Sequence, residues 1–415
     1  SPPLRGRQSV YELYGELQVP IATGRPLLDN LEVVAGVRHS KYSTRDALLP
    51  TWKYELQYKP VRDWLLRASL NRAARAPNIS ELYTASAFRT VSLSDPCAGA
   101  HPTASLSACA FTGVSAAQYG RVPDCPEQLC RTYGGNGNPD LRPESAKTVT
   151  AGLVYTPSRM PGLLLSADYY RIAVKGYIGP VQAADVFANC LDTGDAYYCR
   201  FIHRAAGTGA LYGDDPADGY IAVGAQNTAL LLNEGVDVQA AYNLDLGEAG
   251  KLAVNLVGSR LIKAGGNSAP GEVLANCAGY FGAPTCYAPR PKWRHDLRVT
   301  WRAPWRGAAL SANWRHIGGT RLAANSGDPA VANGAALYAY APFTRLKTYD
   351  YFDVGASVKV SSVLTARLAV NNLFDRTPPV VPSSFVDGTT NNPNTYTGVY
   401  DPLGRNVQLA FTLDF

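Results

Sequence analysis

Apolar and polar side chains alternate residue by residue along much of the chain. In 51–59, Trp52, Tyr54, Leu56 and Tyr58 share one face, while Thr51, Lys53, Glu55, Gln57 and Lys59 share the other. The same alternation runs through 235–245, 292–302 and 406–415. A period of two belongs to a β-strand with one apolar and one polar face. Thirteen such segments can be counted, near 10–20, 31–42, 51–59, 64–72, 145–156, 163–175, 235–246, 251–262, 292–302, 308–318, 349–360, 364–374 and 405–415. Their lengths match the roughly 9–11 residues a tilted strand needs to cross the hydrocarbon layer. Strands of soluble domains average only about five or six. Within 163–175 the apolar side changes near Tyr170, which predicts a β-bulge.

The connections alternate too. Short ones lie near 60–63, 157–162, 247–250, 303–307 and 360–363, with a slightly longer one at 22–30. Long ones span about 73–144, 176–234, 263–291, 319–348 and 375–404, with a shorter member at 43–50. This is the arrangement of an all-β, antiparallel transmembrane β-barrel, with short periplasmic turns and long outer loops. The last strand would then run inward and leave the C-terminus in the periplasm. Thirteen strands are an odd number, and an open sheet edge in lipid costs several kcal/mol per unpaired group. The expectation is therefore that residues 1–415 form the C-terminal portion of a larger barrel, with upstream strands elsewhere.

Composition narrows the classes. Charged residues are 17% and apolar residues 46%, which fits neither a disordered chain nor a highly charged soluble one. No run of 18 apolar residues occurs, so helical membrane spans are excluded. The net charge of +6 comes without a basic cluster, and no nucleic-acid partner is expected. All eight cysteines fall in long loops. Cys190 with Cys199 and Cys277 with Cys286 are predicted disulfides. Cys97–Cys109 and Cys125–Cys130 are favoured over crossed pairings among those four, because small loops close at lower entropic cost. Cys-x-x-Cys pairs and clustered histidines are missing, so neither a metal nor a cofactor is expected. His39, His101, His203, His295 and His316 are dispersed, and no nucleophile or metalloprotease motif occurs, so the chain reads as no enzyme.

Several stretches, in order, carry a family resemblance. They are Val10–Pro20 (VYELYGELQVP), Gly36–Ser43 (GVRHSKYS), Leu66–Pro77 (LRASLNRAARAP), Gly137–Glu144 (GNPDLRPE), Asn371–Asp375 (NNLFD) and the closing strand from Gly404-Arg405 to Phe415. Together they resemble the C-terminal part of bacterial TonB-dependent outer-membrane receptors. The resemblance implies a barrel of 22 strands, of which these would be about 13, an N-terminal plug domain, and coupling to the TonB complex through N-terminal parts this chain lacks. It also implies that Phe415 serves as the terminal signal read by the barrel assembly machinery. On the residues themselves, Arg75-Ala76-Pro77, Pro139, Pro143 and Asn371-Asn372 read as corners between loop and strand.

The expected function is TonB-dependent uptake of an external nutrient ligand across the outer membrane of a Gram-negative bacterium: an iron chelate, cobalamin, an oligosaccharide or a peptide. The candidate contacts are tyrosines of the outer loops, Tyr83, Tyr197, Tyr198, Tyr212, Tyr338 and Tyr340, with Tyr119, Tyr133 and Tyr220 beside them. Tyr joins a stacking face to a hydrogen-bonding tip, which suits either ligand contact or packing inside the loops. Lumenal charges such as Lys53, Glu55, Arg67, Arg294, Asp296 and Arg298 are expected to pair with each other or with a plug. The rival readings are a passive porin-like or orphan barrel fragment and a secreted β-rich adhesin or carbohydrate-binding protein.

Overall fold

A computed structural model describes residues 4–414 except 45–47, 135–136, 182, 214, 216–217, 228–229, 268–272, 283–284, 336, 339–340 and 383–393. Tyr340 and Phe415 therefore lie outside the described residues. Thirteen long strands form one antiparallel sheet: β1 Val10–Arg25, β2 Leu28–Tyr42, β3 Leu49–Lys59, β4 Trp64–Arg75, β5 Glu144–Tyr155, β6 Leu163–Lys175, β7 Leu230–Asp245, β8 Lys251–Gly266, β9 Trp293–Arg302, β10 Ala309–Ile317, β11 Tyr349–Lys359, β12 Leu364–Asn371 and β13 Asn406–Leu413. Each pairs with its sequence neighbour, from β1 to β13 in order. Among the described residues β1 and β13 do not pair with each other, so the sheet is open. No described helix is long and apolar enough to cross a membrane.

Register sorts the side chains into two faces. Glu16 on β1, Gly36 on β2, Lys53 on β3 and Asn71 on β4 stand opposite one another in turn. Trp52, Tyr54, Leu56 and Tyr58 occupy the other face with Leu66, Ala68 and Leu70 of β4. The polar face is the concave one. Arg67 on β4 and Arg315 on β10 line a single cavity of about 650 Å³. Those strands are six spacings apart, roughly 29 Å along a flat sheet at about 4.8 Å per spacing. Only a sheet curved toward its polar side brings them together.

The bulge expected near Tyr170 is absent. β6 pairs without a shift along both β5 and β7. The apolar side changes because the surroundings change. Tyr170, Ile172 and Val174 lie on the concave face at the loop end of β6, and Tyr170 covers Gly235, where a Cβ would sit 2.6 Å from its hydroxyl. The register shifts fall elsewhere. One is at Ile21, between the Pro20–Glu32 and Ala22–Leu31 pairs. The other is at Ile262, between Glu234–Lys263 and Gly235–Leu261. Each flips the phase of alternation on its own strand and marks where the sequence reading stopped too early, at 20 in β1 and at 262 in β8; β7, read only from 235, keeps its phase from Leu230 along β6.

The long loops fold into cores of their own. The first two, about 73–144 and 176–234, interleave in one small sheet. Ala87–Ser92 pairs antiparallel with Leu129–Gly134, which pairs parallel with Tyr220–Ala222, which in turn pairs antiparallel with Ile202–His203. Phe187, Tyr198, Phe201, Leu211 and Ile221 are buried between these loops. The three later loops share a second core built on Phe281, Leu322, Leu346, Val381, Tyr396 and Tyr400.

Candidate ligand-binding cap and lumen

Four disulfides staple the cap: Cys97–Cys109, Cys125–Cys130, Cys190–Cys199 and Cys277–Cys286. Each closes locally, so none joins one loop to another. Beside the shared sheet and core, an ion pair joins the first two loops. Arg204 donates to both carboxylate oxygens of Asp95, from Nη1 and Nη2 at 2.7 and 3.0 Å; Nη1 also donates to the Gly209 carbonyl, and Nε to Thr112 Oγ1. The two side chains are 2% and 0% exposed. A buried charge pair persists only where hydrogen bonds satisfy its remaining groups, as they do here.

The foot of the cap is a second joint. Arg75, ending β4, makes two bonds to Glu144, which opens β5, at 2.8 and 2.7 Å, and others to Glu81. Glu144 also accepts from the Ile178 amide. Asn78 and Glu81 form a reciprocal capping box at the start of the helix Ile79–Tyr83. Asn138 donates to the Ala225 carbonyl, and its amide to that of Glu81. The Arg-Ala-Pro and Gly-Asn-Pro stretches thus meet in one corner. In Asn371-Asn372, Asn372 ties both backbone groups of Arg376. These residues shape corners, and the ion pair within them had no signal in either stretch alone.

The candidate tyrosines take different places. Tyr198 is buried in the first core, with Tyr197 edge-on to it at 5.2 Å, and Tyr212 packs against the same core. Tyr338 packs on the second core and exchanges two bonds with Asn325. Tyr119 bonds the Ala104 carbonyl. Tyr83 is exposed at the foot of the cap. Tyr133 and Tyr220 instead join Phe88 and His203 in a surface cluster. Phe88 lies 4.6 Å from Tyr133 and 5.7 Å from Tyr220, and His203 stacks on Tyr220 at 4.7 Å. The Arg131 guanidinium sits 3.6 Å from the Phe88 centroid and is itself held by the Asp215 carbonyl. That contact fixes the Phe88 ring, and the residues Phe88 and Tyr133 remain 39% and 38% exposed. Desolvation keeps the His203 imidazole below its usual pKa, so it is neutral at pH 7. Burial pushes the Tyr396 and Tyr400 hydroxyls up, which keeps both protonated. The sequence reading missed Phe88 and Arg131, because their partners arrive through short strands whose pairing leaves no periodic trace.

In the lumen, Lys53 reaches Glu16 at 3.0 Å and Glu55 at 3.9 Å, and Arg67 grips Asp168 at 2.8 and 2.7 Å. Lys53 and Arg67 each stride over an intervening strand at a glycine. A Cβ at Gly36 would lie 3.1 Å from Lys53, and one at Gly152 would lie 1.9 Å from Asp168. Arg315 holds Asp353 and reaches Asp401 of the last long loop. Asp296 accepts from Asn313, while Arg294 and Arg298 make no ion pair among the described residues. His295 and His316 stack at 4.8 Å on the convex face, with Asp350 on His316. No group of three or more metal-ligating side chains occurs among the described residues.

A wide antiparallel sheet with an apolar convex face, a charged concave face and disulfide-stapled loops at one end defines an outer-membrane β-barrel protein. Residues 2–373 match the family described as TonB dependent receptor-like, beta-barrel, and the chain belongs to that family. Among the curated proteins none matches it. Solved structures share the fold at low identity. A ferric enterobactin receptor mutant of Pseudomonas aeruginosa, in complex with enterobactin, is 15% identical with a TM-score of 0.61, over 98% of this chain and 46% of the other. The siderophore receptor PirA of Acinetobacter baumannii is 16% identical with a TM-score of 0.59, over 98% and 46%. The FrpB iron transporter of Neisseria meningitidis is 14% identical with a TM-score of 0.51, over 98% and 45%. The chain spans about half the length of these structures.

Proposed function

We propose that the chain forms part of the wall and the outer cap of a receptor that captures a nutrient from outside the cell. In the whole protein, further strands close the barrel, a plug fills it, and the TonB complex drives entry. The open edges of the sheet and the doubled length of the solved relatives support this reading. The loops then face outward and the C-terminus the periplasm, where Phe415 is read by the assembly machinery. We read the chain as part of a transporter and not of an enzyme, in keeping with its family.

The observation that carries the ligand reading is the exposed ring cluster of Phe88, Tyr133, Tyr220 and His203. It offers faces and edges to a flat ring. Of the four ligand classes, an iron chelate bearing aromatic rings fits best, in keeping with the names of the relatives sharing the fold. Tyr83 is a further contact at the foot of the cap, and Tyr197, Tyr198, Tyr212 and Tyr338 hold the cap in shape. Uptake by a strain deleted for the receptor gene, compared across ferric chelates, cobalamin, oligosaccharides and peptides, tests the class. Replacing Phe88 and Tyr133 with Ala in the full receptor should weaken chelate binding about tenfold, at roughly 0.5–1.5 kcal/mol per lost ring contact. An unchanged Kd would remove the cluster from the site.

A further inference from the structure

One register row crosses the concave face near the short turns. Lys251 on β8 stands against Arg302 on β9, followed by Ala309 on β10, Ser357 on β11, Arg367 on β12 and Ala410 on β13. Lys359 lies on the same face of β11, two residues turnward of Ser357. All four basic residues are exposed. The next row toward the loops is uncharged: Ala253, Thr300, Ser311, Gly355, Ala369 and Gln408. From that row to the turns, β8–β13 place no acid on the concave face.

The arc is short of partners. Lys251 meets Asp245 of β7 at 4.0 Å, and Arg302, Lys359 and Arg367 make no ion pair among the described residues. Lys251 and Arg302 are directly opposite, and like charges so placed weaken a sheet. The other half of the lumen is built differently, with Lys53 neutralised by Glu16 and Arg67 by Asp168. Above the arc the arginines continue on β9. Arg298 and Arg294 follow Arg302 at intervals of four residues, about 13 Å each at roughly 3.3 Å per residue. Arg294 lines the cavity of about 650 Å³ together with Gly398 and Val399 of the last long loop. Asp296, between these two arginines, stands opposite Arg315 and accepts from Asn313. The upper level is therefore balanced in charge and the lower one is not.

A concave wall of one sign concentrates ions of the other sign, and rings of Arg and Lys select anions in pores. Two features favour a passing anion over a fixed acidic surface. Ala309, Ser357 and Ala410 leave the basic heads standing clear of the floor between them. The arginines also run on along the height of β9, where a docking patch would stop. We infer that this arc is an exit filter, open to the periplasm, for cargo of net negative charge bearing carboxylate or phenolate oxygens. The inference rests on the receptor reading and deepens it, assigning the sign of the cargo and the residues that read it.

The eight cysteines of the chain are all in disulfides, so Ser357→Cys puts a free thiol in the middle of the arc. In the full receptor, in outer-membrane fragments, two methanethiosulfonates compete for it, one sulfonatoethyl and anionic, the other trimethylammonioethyl and cationic. Relative to a thiol in solution, the anionic reagent should react about tenfold faster than the cationic one. Replacing Lys251, Arg302 and Arg367 together with Gln should bring the ratio close to one. Raising salt to about 1 M, where the Debye length is near 3 Å, should do the same if the triple variant does not assemble. Gln57→Cys, on the concave face between Glu32 and Arg67, should show no preference. In cells deleted for the receptor, the triple variant should take up a negatively charged ferric chelate about tenfold more slowly than the wild type, and bind it at the cap with unchanged Kd. Equal reagent rates in the wild type, a ratio indifferent to variant and salt, or unchanged uptake would overturn the filter. Protection of the thiol from both reagents would also overturn it, and give the arc to an acidic face of the plug. A wild type that takes up no ferric chelate would overturn the ligand reading and leave the filter to be judged by the thiol rates.

Discussion

The wall and the cap solve the same problem by different rules. In the wall, a side chain's surroundings follow from its parity along the strand: Val238 turns to lipid and Gln239 to the lumen because they are neighbours. In the cap, the decisive pairs lie far apart in sequence. Arg204 finds Asp95 across 109 residues, and Asn138 finds the Ala225 carbonyl across 87. A wall strand stands on its two neighbours and its period. A cap loop stands on partners that only the finished fold supplies, and its disulfides lock it without linking it to the next loop.

The difference can be broken at its strongest point first. Arg204→Ala leaves Asp95 buried and uncompensated, which should cost about 3–5 kcal/mol. The loss should stay in the cap. Hydrogen exchange should rise through 73–144 and 176–234 while β4–β8 remain protected, and a uniform rise over wall and cap would refute their independence. Next comes the wall. Val238→Arg on the convex face should cost about 2–4 kcal/mol if it sits near the bilayer midplane, and Gln239→Arg on the concave face should cost little. Urea unfolding of the receptor in lipid vesicles measures both, and equal penalties would mean that the two faces see the same medium.

The smallest effect sharpens the comparison through pH. The folded cap holds His203 below its ordinary pKa, so the folded form binds fewer protons than the unfolded one. Cap stability should therefore be intact above about pH 6.5 and decline as pH falls through that value. His203→Gln should flatten the decline seen in protease sensitivity of the cap between pH 7.5 and 5.5. A variant that tracked the wild type would assign the pH response to other groups.

How much was legible follows the same division. All thirteen strands could be read because a lipid-facing strand must alternate over its whole span. The errors sit where alternation loses its cause. At Ile21 and Ile262 an inserted residue flips the phase, so the reading of β1 and β8 stopped short. At Tyr170 the medium changes but the backbone does not, so a bulge was expected where none exists. In the cap, cysteine spacing was enough for local pairings, since short closures need no tertiary knowledge. The ring cluster was only half visible. Tyr133 and Tyr220 were named as residue types, whereas Phe88 joins them through a six-residue strand in a loop of some seventy residues, and Tyr198 carried no mark to distinguish a buried ring from an open one.

The two glycines under the lumenal ion pairs have a mechanical consequence. A strand that slipped by two residues would keep every side chain on its proper face, so hydrophobicity alone would not resist it. Lys53 reaches Glu16 only over Gly36, and Arg67 reaches Asp168 only over Gly152. A two-residue slip of β2 or β5 would put a bulky neighbour, Val34 or Arg38 in one case and Thr150 or Val154 in the other, under the crossing side chain. Each pair with its gap works as a tooth in a notch, and the curved sheet behaves in shear as a ratchet with one seat.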